Sequence, residues 1–529
     1  MRILSYHFGH DGSISYIEKR RIKFHSQLER INKFKSSAIP SRELVDTLKR
    51  NNVQADIFIM TWIEHNNWVD KTITLLKRNN IITDKTNVVC IGRKKHHIFH
   101  ALCAFHTSKL KKANIYVFDG HGAAFYNNDN VLLEESISGY KIDDQVYELF
   151  KKFYGSKDND IYDGNIPECG VAYAKLNSSL KLGYSECGKT MAFSTYGKEN
   201  PDIKSFLNEK YIFNTKYLNG QDGLVPIQNL KKELTLNKED QYSRDIAWRI
   251  QKDFEEKAIF DMREFIKQHP CDNLIVTGGC AQNIFTNTRL ANELGVNVHI
   301  DPMCNDQGIS LGAAILCWLE VTDLKFNRAE HVFLGFPPKY NLEIFKDYKI
   351  EDTNEDKIVE LLTNKEVVAI YSGRSEQGQR GLGNRSLLAD ASLEGARDRV
   401  SAIKKRAWYR PFACSILKEN FEEWFETDKI KDSPYMLYAF KMKKPIKSVV
   451  GPNNMSRPHT VDSEVSPHYY KLINAFKKKT NIPLLLNTSL NLPGEALVET
   501  MEDLKMTMNN SQLKYVYLPD IKKLITKQF

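Results

Sequence analysis

The sequence predicts a mixed α/β fold (α+β mixed): a duplicated strand-and-turn unit, followed by a separate α/β region. Three observations carry this. Residues 2–26 and 114–138 share one order of strand, small glycine-bearing turn, strand, turn and strand. Residues 274–283, LIVTGGCAQN, read as a β-branched strand, a double glycine and a helix start. Residues 335–341, GFPPKYN, have the glycine and proline content of a linker. The chain is therefore divided into residues 1–339 and 340–529.

In chain order, the first unit is RILSYHF, the turn GHDGS holding His10 and Asp11, ISYIEK and IKFHSQ. HHIFHA follows at 96–101, and its His96 and His100, four residues apart, share one helix face. The second unit is NIYVFD, the turn GHG, AAFYNN, NNDN and VLLEES. Asp119 ends its first strand, and Gly120 and Gly122 let backbone N–H groups approach a phosphate. Actin-like and sugar-kinase ATPases build two lobes around a nucleotide by duplicating such a unit. Ser243 to Gln268 is a long amphipathic helix with Ile246, Ala247, Ile250, Phe254, Ala258, Met262 and Phe265 on its apolar face. Gly278 and Gly279, before a helix reached at Asn283, make an anion or nucleotide site. In CNDQGISLGAA, Asp306 stands at a helix start, where an acid serves as a cap or as a ligand. Two imidazoles and carboxylates with open positions suit a divalent transition metal, Fe²⁺ foremost.

Beyond the linker, VVAIYSG is an apolar strand running into a basic loop with Arg374, Arg380 and Arg385. Lys404, Arg406 and Arg410 follow. Arginines grouped in this way pair bidentately with phosphate oxygens. The strand PLLLN ends in Asn487, followed by Ser489 and Asn491, short polar groups that can bond phosphate.

Composition bounds the function. The 529 residues carry 75 Lys+Arg against 66 Asp+Glu, a net +9 spread along the chain, which suits phosphates or nucleotides and does not indicate polymeric nucleic acid. Nine cysteines without a CxxC pair read as reduced thiols. The first residues lack the apolar core of a signal peptide, and no apolar run reaches the ~18 residues of a membrane span. A cytoplasmic protein with no membrane partner is expected.

The ordered strings resemble the ATP-dependent O-carbamoyltransferases of the NodU/CmcH family. They are GHDGS (9–13), LERINKFK (28–35), HHIFHA (96–101), VFDGHG (117–122), SECGKTMAFSTYG (185–197), VTGGCAQN (276–283), DPMCNDQG (301–308), GRSEQGQRGLGNRSLLAD (373–390), RAWYRPFACSIL (406–417) and IPLLLNTSLNLPGE (482–495). The resemblance implies an N-terminal actin-like (ASKHA) carbamoyl-transfer domain and a C-terminal domain similar to the YrdC-like threonylcarbamoyl-adenylate synthases. It implies that ATP, Mg²⁺ and carbamoyl phosphate are used at Arg374, Arg380, Arg385, Lys404, Arg406, Arg410, Asn487, Ser489 and Asn491 to make carbamoyl-adenylate. It implies a metal, Fe²⁺ or another divalent transition ion, at His96, His100, Asp119 and Asp306. The intermediate is expected at Gly120, Gly122, Lys189, Gly278, Gly279 and Asn283, with His10 as general base and Asp11 orienting it. The expected partner is a small-molecule hydroxyl acceptor: a sugar, an antibiotic or a hydroxymethylated pyrimidine nucleotide. A homodimer is compatible with all of this.

The chain departs from the family pattern at Ala123, where an acid is frequent, at Ala407, again in place of an acid, and at His459, in place of glutamine. Asn305 and Gln307 replace small residues. Two other classes fit parts of the sequence. One is a threonylcarbamoyl-type tRNA-modifying enzyme. The other is a non-catalytic nucleotide-binding protein, which leaves the C-terminal arginines unexplained.

Overall fold

The computed structural model describes the chain apart from residues 38–39, 63–65, 158–159, 162–167, 181, 184–185, 214–239 and 529. Ser185, the first residue of SECGKTMAFSTYG, thus lies outside the described residues. The described chain forms two compact units. One is Ile91–Gly312; the other joins Met1–Cys90 to Ala313–Phe529.

Arg2–His7 is the central strand of a five-stranded sheet ordered Arg21–Gln27, Ser13–Glu18, Arg2–His7, Ile57–Thr61, Asn87–Ile91. Its Ile3, Leu4 and Tyr6 are wholly buried, as a strand covered on both faces requires. The hairpin strands pair antiparallel, and Arg2–His7 runs parallel to Ile57–Thr61. A parallel neighbour demands a crossover. The helix Arg42–Arg50 lies within it, capped by the Ser41 side chain, which accepts from Leu44 N.

The same topology recurs in Ile91–Gly312. There the order is Asp160–Ile161, Val146–Lys157, Leu132–Ile142, Ala113–Phe118, Asn273–Thr277, Asn297–Ile300. An antiparallel pair again precedes two parallel strands. This is the duplicated, actin-like pattern expected from the sequence. One detail differs. AAFYNN was expected to be the second strand of the repeat, but Ala124–Tyr126 is a short strand paired outside the main order. Leu132–Ile142 takes the place beside Ala113–Phe118. Phe125 and Tyr126 are exposed, whereas Ile137 and Tyr140 are buried, so the longer strand is the one that covers the core. The helix Gln241–Gln268 is as expected: all seven apolar positions named above are at most 3% exposed.

The region 349–526 holds an eight-stranded mixed sheet. Its order is Lys349–Asp352, Lys523–Thr526, Tyr515–Leu518, Val368–Tyr371, Arg385–Ala389, Leu484–Ser489, Ala413–Leu417, Pro458–Val461. One core cluster packs Val368, Ile370, Leu388 and Leu485 against Leu472, Ile473 and Phe476 of the helix Pro467–Thr480. This sheet positions the basic loop and the polar strand end. Among the described residues, no helix is long and apolar enough to cross a membrane.

Candidate functional site

Three local structures bring four side chains to one point in Ile91–Gly312. His96 and His100 lie on the helix His96–Thr107. Asp119 follows the strand Ala113–Phe118. Asp306 begins a short 3₁₀ turn, Asp306–Gly308, that runs into the helix Ile309–Val321. One ligand atom from each residue lies within 4.8 Å of all the others, and all four side chains are buried. His100 Nε2 is 3.1 Å from Asp119 Oδ2 and 3.5 Å from Asp306 Oδ1, and His96 Nε2 is 3.5 Å from both.

Asp119 is oriented by its other oxygen. Oδ1 accepts from Gly120 N at 2.8 Å and Gly279 N at 3.1 Å, so Oδ2 is left facing the histidines. Gly278 permits this approach: its φ is +93°, and an added Cβ would stand 2.4 Å from Phe118 O. Burial opposes charge on these side chains, but the Asp119 and Asp306 carboxylates still hold His100 up at about 10. Against the same burial, His100 and His96 hold Asp119 well below the usual carboxylate range. Two imidazoles and two carboxylates in a dry pocket fit a divalent cation, whose charge would replace the protons that pair the cluster. The donor set of two nitrogens and two oxygens suits Fe²⁺ or a neighbouring transition ion.

The third histidine of HHIFH turns elsewhere. His97 Nδ1 lies 2.9 Å from Ser138 Oγ and 3.4 Å from Glu135 Oε1. An added Cβ on Gly122 would stand 2.6 Å from His97 Nε2, so this glycine makes room for the imidazole. Gly120 has open space where a Cβ would be. Asn283 is internally committed: its side chain caps the following helix at Thr286 N and exchanges two bonds with Gln251. Lys189 is partly exposed and 3.6 Å from Glu186. His10 and Asp11 lie in the other unit, where the imidazole is mostly exposed and Nδ1 is 3.4 Å from Asp11 Oδ2. Asp11 has a φ of +55° and receives Ser36 Oγ at 3.3 Å.

The C-terminal basic residues divide into two groups. Arg385 is fully buried with its cation 3.7 Å over the Tyr371 ring. It donates to the carbonyls of Val498, Ser372, Asn384, Gly373 and Glu499. Those five bonds use its N–H groups as scaffold. Arg374 likewise donates to the carbonyls of Lys23 and Gly335. Arg380 and Arg410 instead lie close enough to act on Arg406. Burial and then Arg410, Arg380 and Arg397 push Arg406 down to about 9. Burial and then Arg406 and Arg410 push Lys404 to about 7. Lys404 Nζ donates to Ser489 O at 2.9 Å, Asn491 O at 2.6 Å and Asn491 Oδ1 at 2.7 Å, which draws the strand end to the cluster. Asn487 is buried and donates to Gly381 O and Ser415 Oγ, while its Oδ1 has no hydrogen-bond partner among the described residues.

Sequence reasoning missed Arg457, in MSRPHTV. Burial, then Arg380, Arg406 and Arg410, hold it well below its usual value, and its buried Nε has no partner among the described residues. Only its surroundings mark it as part of the cluster. Cations crowded so closely suit a polyanion.

The carbamoyltransferase N-terminus family model matches residues 49–315, and the carbamoyltransferase C-terminus model matches residues 359–525. The chain belongs to the carbamoyltransferase family, in its NodU/CmcH branch. It is thus a carbamoyl-transferring enzyme. It is similar to nodulation protein NolO of Bradyrhizobium diazoefficiens, at 27% identity over 79% of this chain and 76% of the relative. It is also similar to 3'-hydroxymethylcephem-O-carbamoyltransferase of Streptomyces clavuligerus, at 24% identity over 95% of each chain. An uncharacterized protein of Methanocaldococcus jannaschii is 28% identical over 81% of this chain and 75% of its own length.

Proposed function

We propose that this carbamoyltransferase moves the carbamoyl group of carbamoyl phosphate to a hydroxyl oxygen of a small molecule, by way of carbamoyl-adenylate made with ATP. The observation that carries this reading is that one chain holds both a crowded group of cations, Arg380, Lys404, Arg406, Arg410 and Arg457, and a buried two-His, two-Asp cluster.

In the first step, water displaces phosphate from carbamoyl phosphate. A carbamate oxygen then attacks the α-phosphorus of ATP, and pyrophosphate leaves. The charge on the phosphates is met by the guanidiniums, and Mg²⁺, when bound, would supply further neutralisation. Residues 340–529 are assigned this step. Arg374 and Arg385 serve it by holding backbone, and Asn487, Ser489 and Asn491 line its polar strand end.

In the second step, the acceptor hydroxyl attacks the carbamoyl carbon and AMP departs. His10 takes the hydroxyl proton, oriented by Asp11. His96, His100, Asp119 and Asp306 would hold a divalent ion, which supplies Lewis-acid polarisation when bound. Gly120, Gly122, Gly278 and Gly279 are assigned to the nucleotide, and Lys189 to its phosphate. Residues 1–339 are assigned this step. The acceptor class is a sugar, an antibiotic or a hydroxymethylated pyrimidine nucleotide.

The threonylcarbamoyl alternative is not favoured, because both family models are carbamoyltransferase models. The test is incubation with ATP, carbamoyl phosphate and a panel of hydroxyl compounds, read by mass spectrometry. A gain of one carbamoyl group in place of hydrogen is expected. Products that form only with bicarbonate and threonine would refute the reading.

A further inference from the structure

Arg30 lies on the short helix Leu28–Asn32 and is only 2% exposed. A buried guanidinium has to place its N–H groups on acceptors. Its Nε donates to Gln27 Oε1 at 3.1 Å, Nη1 to Ser375 Oγ at 3.3 Å and Glu376 O at 2.6 Å, and Nη2 to Gly378 O at 3.2 Å. Three of these four acceptors belong to the loop that begins at Gly373 and leads to Arg380. Gly378 has a φ of +107°, so the chain turns there through a conformation that favours glycine. Arg30 grips the carbonyl of that turning residue, two positions before Arg380.

The rest of the loop is held in the same manner. Ser375 Oγ, which receives Arg30, donates to Glu499 Oε2 at 2.7 Å. Glu499 Oε1 receives Phe336 N at 3.3 Å. Arg385 holds the Ser372 and Gly373 carbonyls. Two buried arginines therefore set the path of one polar loop whose continuation enters the cationic cluster. An apolar side chain would fill the place of Arg30 without the cost of burying a charge. What only a guanidinium supplies is a fork that fixes two carbonyls and a hydroxyl at once.

We infer that Arg30 is a positioning residue for carbamoyl-adenylate formation: it sets the direction in which Arg380 enters the polyanion site. The inference rests on the proposed role of that site. The test uses the full chain and inorganic pyrophosphate as the probe, with affinity read by calorimetry and KM for ATP read from pyrophosphate release. Arg30→Lys keeps the charge and loses the fork. It is expected to weaken pyrophosphate binding and raise KM on the order of tenfold, with a melting temperature close to that of the parent. Arg380→Ala should weaken binding more, and the double variant should match Arg380→Ala alone, since residues acting through one another are not additive. Ser375→Ala, which leaves both charges in place, is the second variant and should shift affinity the same way by a smaller factor. Parental affinity in Arg30→Lys and Ser375→Ala, or losses that simply add in the double variant, would overturn the inference and leave the polyanion site standing. Parental affinity in Arg380→Ala would overturn both.

Discussion

The backbone N–H of Gly279 donates to Oδ1 of Asp119 at 3.1 Å. The bond joins the loops after two neighbouring parallel strands, Ala113–Phe118 and Asn273–Thr277. With Gly120 N on the same oxygen, it turns Oδ2 toward His96 and His100. The glycine pair first read as a phosphate turn therefore also orients a carboxylate of the four-residue cluster.

The cluster sets the first prediction. His100→Ala should lose its divalent ion and carbamoyl transfer, while pyrophosphate release stays near the parental rate. Elemental analysis and the two half-reactions measure this. A full equivalent of ion in the purified variant would remove His100 from the ligand set. In the parent, ion affinity should rise with pH, because His100, held at about 10, must give up its proton to bind.

A second prediction separates the two halves of the reaction. Arg410→Ala and Arg380→Ala should lose carbamoyl-phosphate-dependent pyrophosphate release by about 10²-fold or more, in the range of lost charge stabilisation. They should still transfer from added carbamoyl-adenylate. Normal pyrophosphate release in both would make the cluster a solvated basic face.

Lys404 makes anion binding pH-dependent. Its ammonium is held near 7 by burial and by Arg406 and Arg410, well below the ordinary lysine value. Above that pH the free protein must take up a proton to bind an anion in the charged form. Pyrophosphate affinity should therefore fall by up to about tenfold per pH unit above 7, and level off below it. The depressed value also means that the unfolded chain binds more protons between about 7 and the ordinary lysine range. This group's contribution to the stability of the anion-free protein therefore rises with pH through that window. Melting scans with and without pyrophosphate at several pH values check both signs. An affinity flat across pH 6 to 9 in Lys404→Arg, with the slope kept in the parent, would assign the effect to Lys404; an identical slope in both would refute it.

His10→Asn should form carbamoyl-adenylate and keep its ion, yet pass the carbamoyl group on about 10²- to 10⁴-fold more slowly. The intermediate should accumulate or hydrolyse, which quenched-flow chromatography would detect. Near-parental transfer would show that another group takes the acceptor proton.

Much of the site was legible because its signals are local. Four-residue spacing puts His96 and His100 on one face wherever the helix lies. Glycine turns after apolar strands mark Asp119 and Gly278 as strand-end positions. The basic residues were less legible. A guanidinium fork fits a phosphate or a pair of carbonyls equally well, so Arg385 and Arg406 look alike in sequence. Their acceptors separate them: among the described residues Arg385 donates to five carbonyls, and Arg406 to those of Arg410 and Pro411. Nothing local ties Arg457 to the cluster, or Arg30 within LERINKFK to the loop at Gly378, because these partners are distant in sequence.

The sequence by itself determined the duplicated hairpin unit, the long helix Gln241–Gln268 and the pairing of His96 with His100, since strand alternation and helical spacing act over a few residues. Only the tertiary structure decided that Leu132–Ile142, rather than Ala124–Tyr126, lies beside Ala113–Phe118, because the choice turns on which strand buries more apolar surface. It alone decided that the first ninety residues pack with the C-terminal region, and that Arg30 reaches Gly378. Such contacts depend on which polar groups end up buried together, and a buried charge takes whatever acceptors the assembled sheets present.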